Sequence, residues 1–175
     1  MKISGRTIKR RLYGLRNLPA DLKRARYFRG HGVHSPFVYA IVRQVFMRST
    51  LIAKSDTALF DALTDRGISA RRAVQLQNIM IHCGYTSFGI DCADDDTMRY
   101  DFAVATLDVP AERLEAMAAK ASAEGATICI MSPWYDRQRD EACRAIIAKH
   151  RCTDIDNRGY LLLFNNYLPK QSFRL

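Results

Sequence analysis

Long apolar runs are missing from this 175-residue sequence. Its apolar segments, such as Tyr160 to Phe164 and Ala103 to Leu107, are far shorter than the roughly 20 residues that a membrane-spanning helix needs. The N-terminus is cationic, and no apolar core of signal-peptide length follows Lys9, Arg10 and Arg11. We therefore expect a cytoplasmic protein without a membrane span.

Several catalytic and structural signatures are also missing. The sequence has no G-x-S-x-G, no G-x-x-x-x-G-K-[ST] and no H-E-x-x-H, so nothing indicates a hydrolase, a phosphate-loop enzyme or a metalloprotease. Its five cysteines are odd in number and form no C-x-x-C pair, which favours reduced thiols over a disulfide framework or a zinc ribbon. We expect Cys129 and Cys143 to pack on apolar faces.

Metal-ligating residues are present, but their spacing does not favour a metal site. His31 and His34 lie three residues apart, and no Cys or further His follows at a zinc spacing. A turn with glycine on both sides of His31 explains that segment. The run Asp94 to Asp96 could hold Mg²⁺, yet consecutive acids more often mark a solvated loop or a cap. We therefore predict no metal.

Positive charge is concentrated near the N-terminus. The chain carries 27 Lys and Arg against 18 Asp and Glu, and residues 1–48 have a net charge of +11 while residues 49–175 have −2. Ile8, Leu12 and Leu15 place an apolar stripe on a basic helix. Such a helix could dock on its own domain, on a polyanion such as nucleic acid, or on an anionic membrane surface; we favour docking on the domain.

Helix signals divide the first half of the chain. Ser35 and Pro36 predict a capped helix to about Phe46. Ser55 or Asp56 can cap a second helix that Gly67 closes, and Ser69 can open a third through Ala73 and Leu76. We expect residues 1–50 to form a basic helical cap and residues 51–175 to form the main domain.

Strand and helix signals then alternate. Helices are predicted after Pro110 and after Pro133. The predicted strands are Ile79 to Cys83, Asp101 to Leu107, Ala126 to Met131, Cys152 to Asp156, Tyr160 to Phe164, and a short segment from Gln171 to Leu175. This order predicts an α/β fold with a sheet of about four or five strands and an antiparallel edge. We expect Ala126 to Met131 to be central and buried on both faces.

Both ends of the chain resemble a known family. The segment Arg29 to Val38, which contains Gly30-His31-Gly32-Val33-His34-Ser35-Pro36-Phe37, resembles the N-terminal signature of a bacterial, Bacteroidetes-type group of class I S-adenosylmethionine-dependent methyltransferase-like proteins. The closing segments Asp154 to Asp156, Gly159 to Phe164 and Lys170 to Leu175 are similar to the end of that group. The resemblance implies a Rossmann-like domain that follows N-terminal helices.

The middle of the chain departs from that pattern. The family has an acidic strand end followed by a glycine-rich turn, E-L-G-T-S-x-G-I, and the nearest stretch here is His82 to Ile90, with His82 in place of the acid and Tyr85 as an extra residue. About ten residues lead on to Asp101, too few for the crossover helix of a parallel pair. The second strand, whose acid would hold the ribose, has no counterpart. Ser132 to Tyr135 stands where the family has paired aspartates.

These comparisons imply a reduced Rossmann-like, methyltransferase-like sheet and a degenerate cofactor site. The vestigial cofactor-binding candidates are Gly84, Thr86, Ser87 and Gly89. Trp134 and Tyr135, just past a strand end, are the ligand-binding candidates. We expect no catalytic residue and no bound cofactor, and a role in binding or in assembly such as the formation of a homo-oligomer. The alternatives are an active S-adenosylmethionine-dependent methyltransferase and a nucleic-acid-binding module that uses weak polyanion contacts of residues 1–48.

Overall fold

Six strands form one mixed sheet in the computed structural model, which describes residues 33–92, 98–166 and 168–175. The strands are β1 Phe88–Ile90, β2 Phe102–Ala105, β3 Thr127–Met131, β4 Thr153–Asp156, β5 Tyr160–Phe164 and β6 Gln171–Arg174. Across the sheet their order is β1-β2-β3-β5-β4-β6. The predicted α/β class is confirmed, and the described residues contain six strands where we predicted about four or five.

The antiparallel strand lies inside the sheet, which corrects the prediction of an antiparallel edge. Strands β1, β2 and β3 are parallel, and β5 is antiparallel to β3 on one side and to β4 on the other. The short turn between β4 and β5, closed by the Asn157 amide donating to the Tyr160 carbonyl at 3.0 Å, turns the chain back beside β3. Strand β6 then pairs in parallel with β4 and forms the edge instead.

Three of the described helices precede β1, and two lie between later strands. They are α1 Pro36–Ile41, which continues as a π-helical turn Val42–Phe46, then α2 Ala58–Asp65, α3 Ala70–Cys83, α4 Leu114–Glu124 after a short 3₁₀ turn Ala111–Arg113, and α5 Arg137–Lys149. Ser35 caps α1 as predicted, since its Oγ accepts from the Val38 amide at 3.4 Å. Thr57 occupies the N-cap position of α2, so the prediction of Ser55 or Asp56 was wrong.

The predicted strand Ile79 to Cys83 is the last part of helix α3. Ser69 begins this helix as predicted, and Gly84 ends it in the left-handed conformation at φ 70°. All residues from Ala73 to Met80 are buried. A short apolar run of this kind cannot distinguish a strand from a fully buried helix by its periodicity, which is why the prediction failed.

Polar side chains on α3 fix the segment that precedes it. Asn78 accepts the Ile52 amide at 2.8 Å and donates to the Thr50 carbonyl at 3.0 Å. Gln77 accepts the Phe60 amide at 3.0 Å. Because these side chains satisfy backbone groups, they can be buried without a large penalty.

The sheet separates two apolar clusters. On one face, α1, α2 and α3 pack against Phe102, Val104 and Leu162. On the other face, α4 and α5 pack against Ile128 and Ile130. Every residue of β3 is buried, with Ile128 and Ile130 at 0% exposure, so the predicted central strand is confirmed.

The apolar cluster on the α3 side of the sheet includes residues from both sides of position 50. Val38, Ile41 and Val45 of the α1 segment belong to the same cluster as α3 and the sheet. The predicted basic helix with its apolar stripe of Ile8, Leu12 and Leu15 lies outside the described residues. Within residues 33–92, 98–166 and 168–175, no helix is long and apolar enough to cross a membrane.

All five cysteines are free thiols, and Cys129 and Cys143 pack on apolar faces as predicted. Cys129 lies at 0% exposure in the cluster under α3, and Cys143 lies in the cluster under α5. Burial raises the pKa of Cys143 to about 12. A thiol with so high a pKa is protonated at neutral pH, and therefore a poor nucleophile.

Candidate functional site at the carboxyl edge of the sheet

Three parallel strands end at one edge of the sheet, the place where ligands bind in open α/β folds. Asp91 follows β1, Thr106 follows β2 and Ser132 follows β3. Asp91 and Ser132 have positive φ angles of 55° and 48°. Positive φ is uncommon for residues other than glycine, so both strands end in turns with a sharply defined conformation. We call this region the carboxyl edge.

The carboxylate of Asp91 joins the ends of β1 and β2. Its Oδ1 accepts the Thr106 amide at 2.6 Å, and its Oδ2 accepts the Thr106 hydroxyl at 2.7 Å. The same hydroxyl oxygen accepts the Asp108 amide at 3.1 Å. Both carboxylate oxygens of Asp91 therefore bind within the protein, and Asp108 remains exposed beside them.

A buried arginine holds the ends of β2 and β3 together. The Arg139 side chain donates from Nε to the Met131 carbonyl at 3.0 Å, from Nη1 to the Val109 carbonyl at 2.7 Å and from Nη2 to the Thr106 carbonyl at 2.8 Å. Arg139 is 3% exposed. Burial lowers the pKa of its guanidinium, and nearby carboxylates, including Asp91, oppose that shift.

The first turn of α5 places this arginine. Asp136 caps the helix, because its Oδ1 accepts the Arg139 amide at 2.9 Å. The cap fixes Arg139 in the first helical turn, directly after the loop that leaves β3. Sequence reasoning missed Arg139, since its spacing within a basic helix does not distinguish it from exposed neighbours such as Arg137.

Trp134 and Tyr135 lie in that loop at the carboxyl edge, where the sequence predicted them. Both are half-buried. The loop is fixed by the Tyr135 amide donating to the Ser132 carbonyl at 3.0 Å, and by the Ser132 amide donating to the Gly159 carbonyl at 2.7 Å. Two aromatic side chains thus follow β3 at the same edge of the sheet as Asp91 and Asp108. This arrangement can stack on or cover a planar ligand.

The four cofactor-binding candidates lie elsewhere. Gly84 ends helix α3, Thr86 and Ser87 precede β1, and Gly89 lies within β1. Thr86 and Ser87 are therefore at the amino edge of the sheet, opposite Trp134 and Tyr135. The structure therefore does not bring the cofactor-binding candidates and the ligand-binding candidates together. The predicted glycine-rich turn connects α3 to the start of β1, whereas the ligand-binding candidates follow the end of β3.

At the amino edge, Asp101 binds the residues of that turn. Its Oδ2 accepts the Thr86 amide at 2.7 Å, the Thr86 hydroxyl at 2.9 Å, the Ser87 amide at 3.0 Å and the Ser87 hydroxyl at 3.1 Å. The hydrogen bond from the Thr86 amide is the main reason why the pKa of Asp101 is lowered. The backbone donors that could approach a cofactor here already bind a carboxylate.

Gly89 has a packing role that the sequence did not indicate. A Cβ at this position would overlap the Cys92 Sγ and lie 2.8 Å from ring carbons of Tyr100. Glycine is required because these two side chains cross β1 at close range. The segment also forms a parallel pair with β2, so the short connection to Asp101 does not prevent parallel pairing as we had expected.

The described residues contain no group of three or more His, Cys, Asp or Glu side chains that could hold a metal ion. His34 is exposed, while His31 and Asp94 to Asp96 lie outside the described residues. His82 lies in the last turn of α3, where burial lowers its pKa.

Comparisons of the chain with family models, with curated proteins and with solved structures give no match. Its function is therefore inferred from the residues themselves.

Proposed function

We propose that this chain is a degenerate, non-catalytic relative of the class I S-adenosylmethionine-dependent methyltransferases, with a reduced Rossmann-like sheet, and that it acts by binding or assembly. The observation that carries the proposal is the Asp101 contact. Thr86 and Ser87, the residues that match the family's cofactor turn, donate both backbone amides and both hydroxyls to one carboxylate. A cofactor would have to displace four hydrogen bonds to reach them.

The carboxyl edge supports the same proposal. In a Rossmann-type site an acidic side chain after a strand holds the ribose hydroxyls. Here the Asp91 carboxylate accepts two hydrogen bonds from Thr106. Asp108 is exposed at this edge, and Trp134 and Tyr135 are half-buried there. We infer that a ligand of this edge contacts those three side chains.

The proposal is tested by titrating the full chain with S-adenosylmethionine and with its demethylated product. Trp134 is the sole tryptophan in the sequence and lies at the carboxyl edge, so its fluorescence reports on occupancy there. We expect no saturable calorimetric heat and no change in Trp134 fluorescence at millimolar cofactor. A micromolar Kd would overturn the proposal and favour an active methyltransferase.

A matched pair of variants locates any binding that is observed. Asp108→Asn alters the carboxyl edge, and Asp65→Asn removes an exposed carboxylate at the end of α2. Cofactor binding that weakens in the first variant and persists in the second would assign a working site to the carboxyl edge, contrary to the proposal.

A further inference from the structure

The chain has a long segment without acidic residues. From Leu22 to Ser55 there is no Asp or Glu, while the segment contains seven Lys and Arg. The described part of this segment begins at residue 33 and includes α1 and the π-helical turn. Its positive charge is therefore not offset by neighbours along the chain.

The α1 segment presents an apolar and a basic side chain together on its outer face. Its inner face holds Val38, Ile41 and Val45, all at 0% exposure. The outer face carries Tyr39, Arg43 and Met47 at four-residue spacing. Tyr39 is 46% exposed and Met47 48% exposed, and Arg43 Nη1 contacts Met47 Sδ at 3.6 Å.

Further exposed basic and apolar side chains follow Met47 along the chain. Arg48 and Lys54 are exposed, and Ile52 is 38% exposed. Among the described residues, five large apolar side chains are exposed, and three of them are Tyr39, Met47 and Ile52. We call Tyr39, Arg43, Met47, Arg48, Ile52 and Lys54 the basic apolar segment.

We propose that the basic apolar segment docks on the surface of an anionic lipid bilayer. Cations bind the negative headgroups, and the apolar side chains between them enter the interface. Aliphatic side chains such as Met47 and Ile52 suit an acyl boundary better than a nucleic acid, which would favour several aromatic rings for stacking on bases. The sequence upstream has the same combination, with Ile8, Leu12 and Leu15 among basic residues.

The proposal is tested by sedimentation of the full chain with vesicles of phosphatidylcholine alone and with vesicles that contain about one-third phosphatidylserine. We expect binding to the anionic vesicles and a steep loss of binding as salt increases. Equal binding to both kinds of vesicle, or none to either, would overturn the proposal.

Three variants separate the contribution of the basic side chains to vesicle binding from that of the apolar side chains. Replacing Arg43, Arg48 and Lys54 with Gln is expected to weaken vesicle partitioning by about 100-fold. Replacing Tyr39 and Met47 with Ser is expected to weaken it by about tenfold, through lost apolar burial. The control replaces Arg66, Arg71 and Arg151 with Gln, which removes the same charge from other exposed positions and should leave binding within about twofold of the wild type.

Thermal melting establishes that each variant is folded. Undiminished binding by either test variant, or an equal loss in the control, would overturn the proposal. Retention of the wild type on duplex DNA, without binding to anionic vesicles, would assign the segment to nucleic acid instead.

Discussion

At the scale of single residues, two aspartates have carboxyl pKa values shifted in opposite directions. Asp101 accepts four hydrogen bonds, which lower its pKa. Asp154 on β4 is 3% exposed, and burial raises its pKa to about 6 although the Ser172 hydroxyl donates to it at 2.5 Å. The two residues therefore contribute oppositely to the pH dependence of folding.

Replacing Asp101 with Ala should lower the free energy of unfolding at pH 7 by about 2 kcal/mol, because Thr86 and Ser87 lose their common acceptor. Since the pKa of Asp101 is lower in the folded state, its contribution is present above the ordinary carboxyl pKa of 3.8 and is lost as the pH falls through the folded value. Urea unfolding at pH 7 and below pH 4 measures both effects. Asp108→Ala, at an exposed position, should change stability by less than about 0.5 kcal/mol.

Replacing Asp154 with Asn should stabilise the protein by about 1 to 2 kcal/mol at pH 8. The folded state holds the Asp154 proton more tightly than the unfolded state, so wild-type stability decreases as the pH rises from about 4 to about 6. Asparagine keeps an acceptor for Ser172 and carries no charge. Denaturant titrations at pH 4 and pH 8 compare the two proteins, and a variant less stable than the wild type at pH 8 would contradict this account.

At the scale of elements, the helix ends and the strands of the C-terminal half were predictable, whereas the end of α3 was not. Ser35 begins α1 and Gly125 ends α4 through local backbone requirements that a sequence displays. The apolar residues Ile79 to Cys83 are buried because other elements surround α3, which no local pattern records. Arg139 was missed for the same reason, since its three acceptors come from the loop after β2 and from the end of β3.

Two serines at helix N-caps offer a matched comparison. The Ser35 hydroxyl accepts the Val38 amide, while Ser69 at the start of α3 makes no side-chain cap hydrogen bond. Ser35→Ala should therefore reduce stability by about 0.5 to 1 kcal/mol, and Ser69→Ala should have a smaller effect. Thermal melting of both variants measures the difference, and equal losses would show that the Ser35 contact contributes little.

The attachment of α5 to the sheet depends on Arg139. Lysine at this position has one ammonium group in place of a planar guanidinium, so it cannot reach the three carbonyls of Met131, Val109 and Thr106 together. Arg139→Lys should cost about 2 to 4 kcal/mol, since buried acceptors lose their donors. Arg137→Lys, on the exposed side of the same helix, is the control and should be nearly neutral. Similar melting temperatures for both variants would refute the role assigned to Arg139.

At the scale of the whole molecule, the described fold is a sheet covered by helices on both faces, and its strands differ in burial. Strands β3 and β5 are buried along their whole length and pair with each other, whereas β6 is largely exposed at an edge. The amides of β3 and β5 should exchange hydrogen most slowly, at rates set by global unfolding, and those of β6 should exchange faster through local opening. Hydrogen exchange followed by mass spectrometry measures this order, and equal protection of β6 and β3 would contradict it.

The position of β5 between β3 and β4 has a consequence for the growing polypeptide on the ribosome. Strand β3 is synthesised well before its second neighbour, so one side of it has open hydrogen-bonding groups until residues 160–164 emerge. The edge next to β4 is closed still later, by residues 171–174. Because domains form as units once their chain is available, the sheet cannot close before residues 171–174 have been synthesised. A chain shortened before Gln171 would leave the ribosome with β4 as an unpaired edge, and we expect it to self-associate.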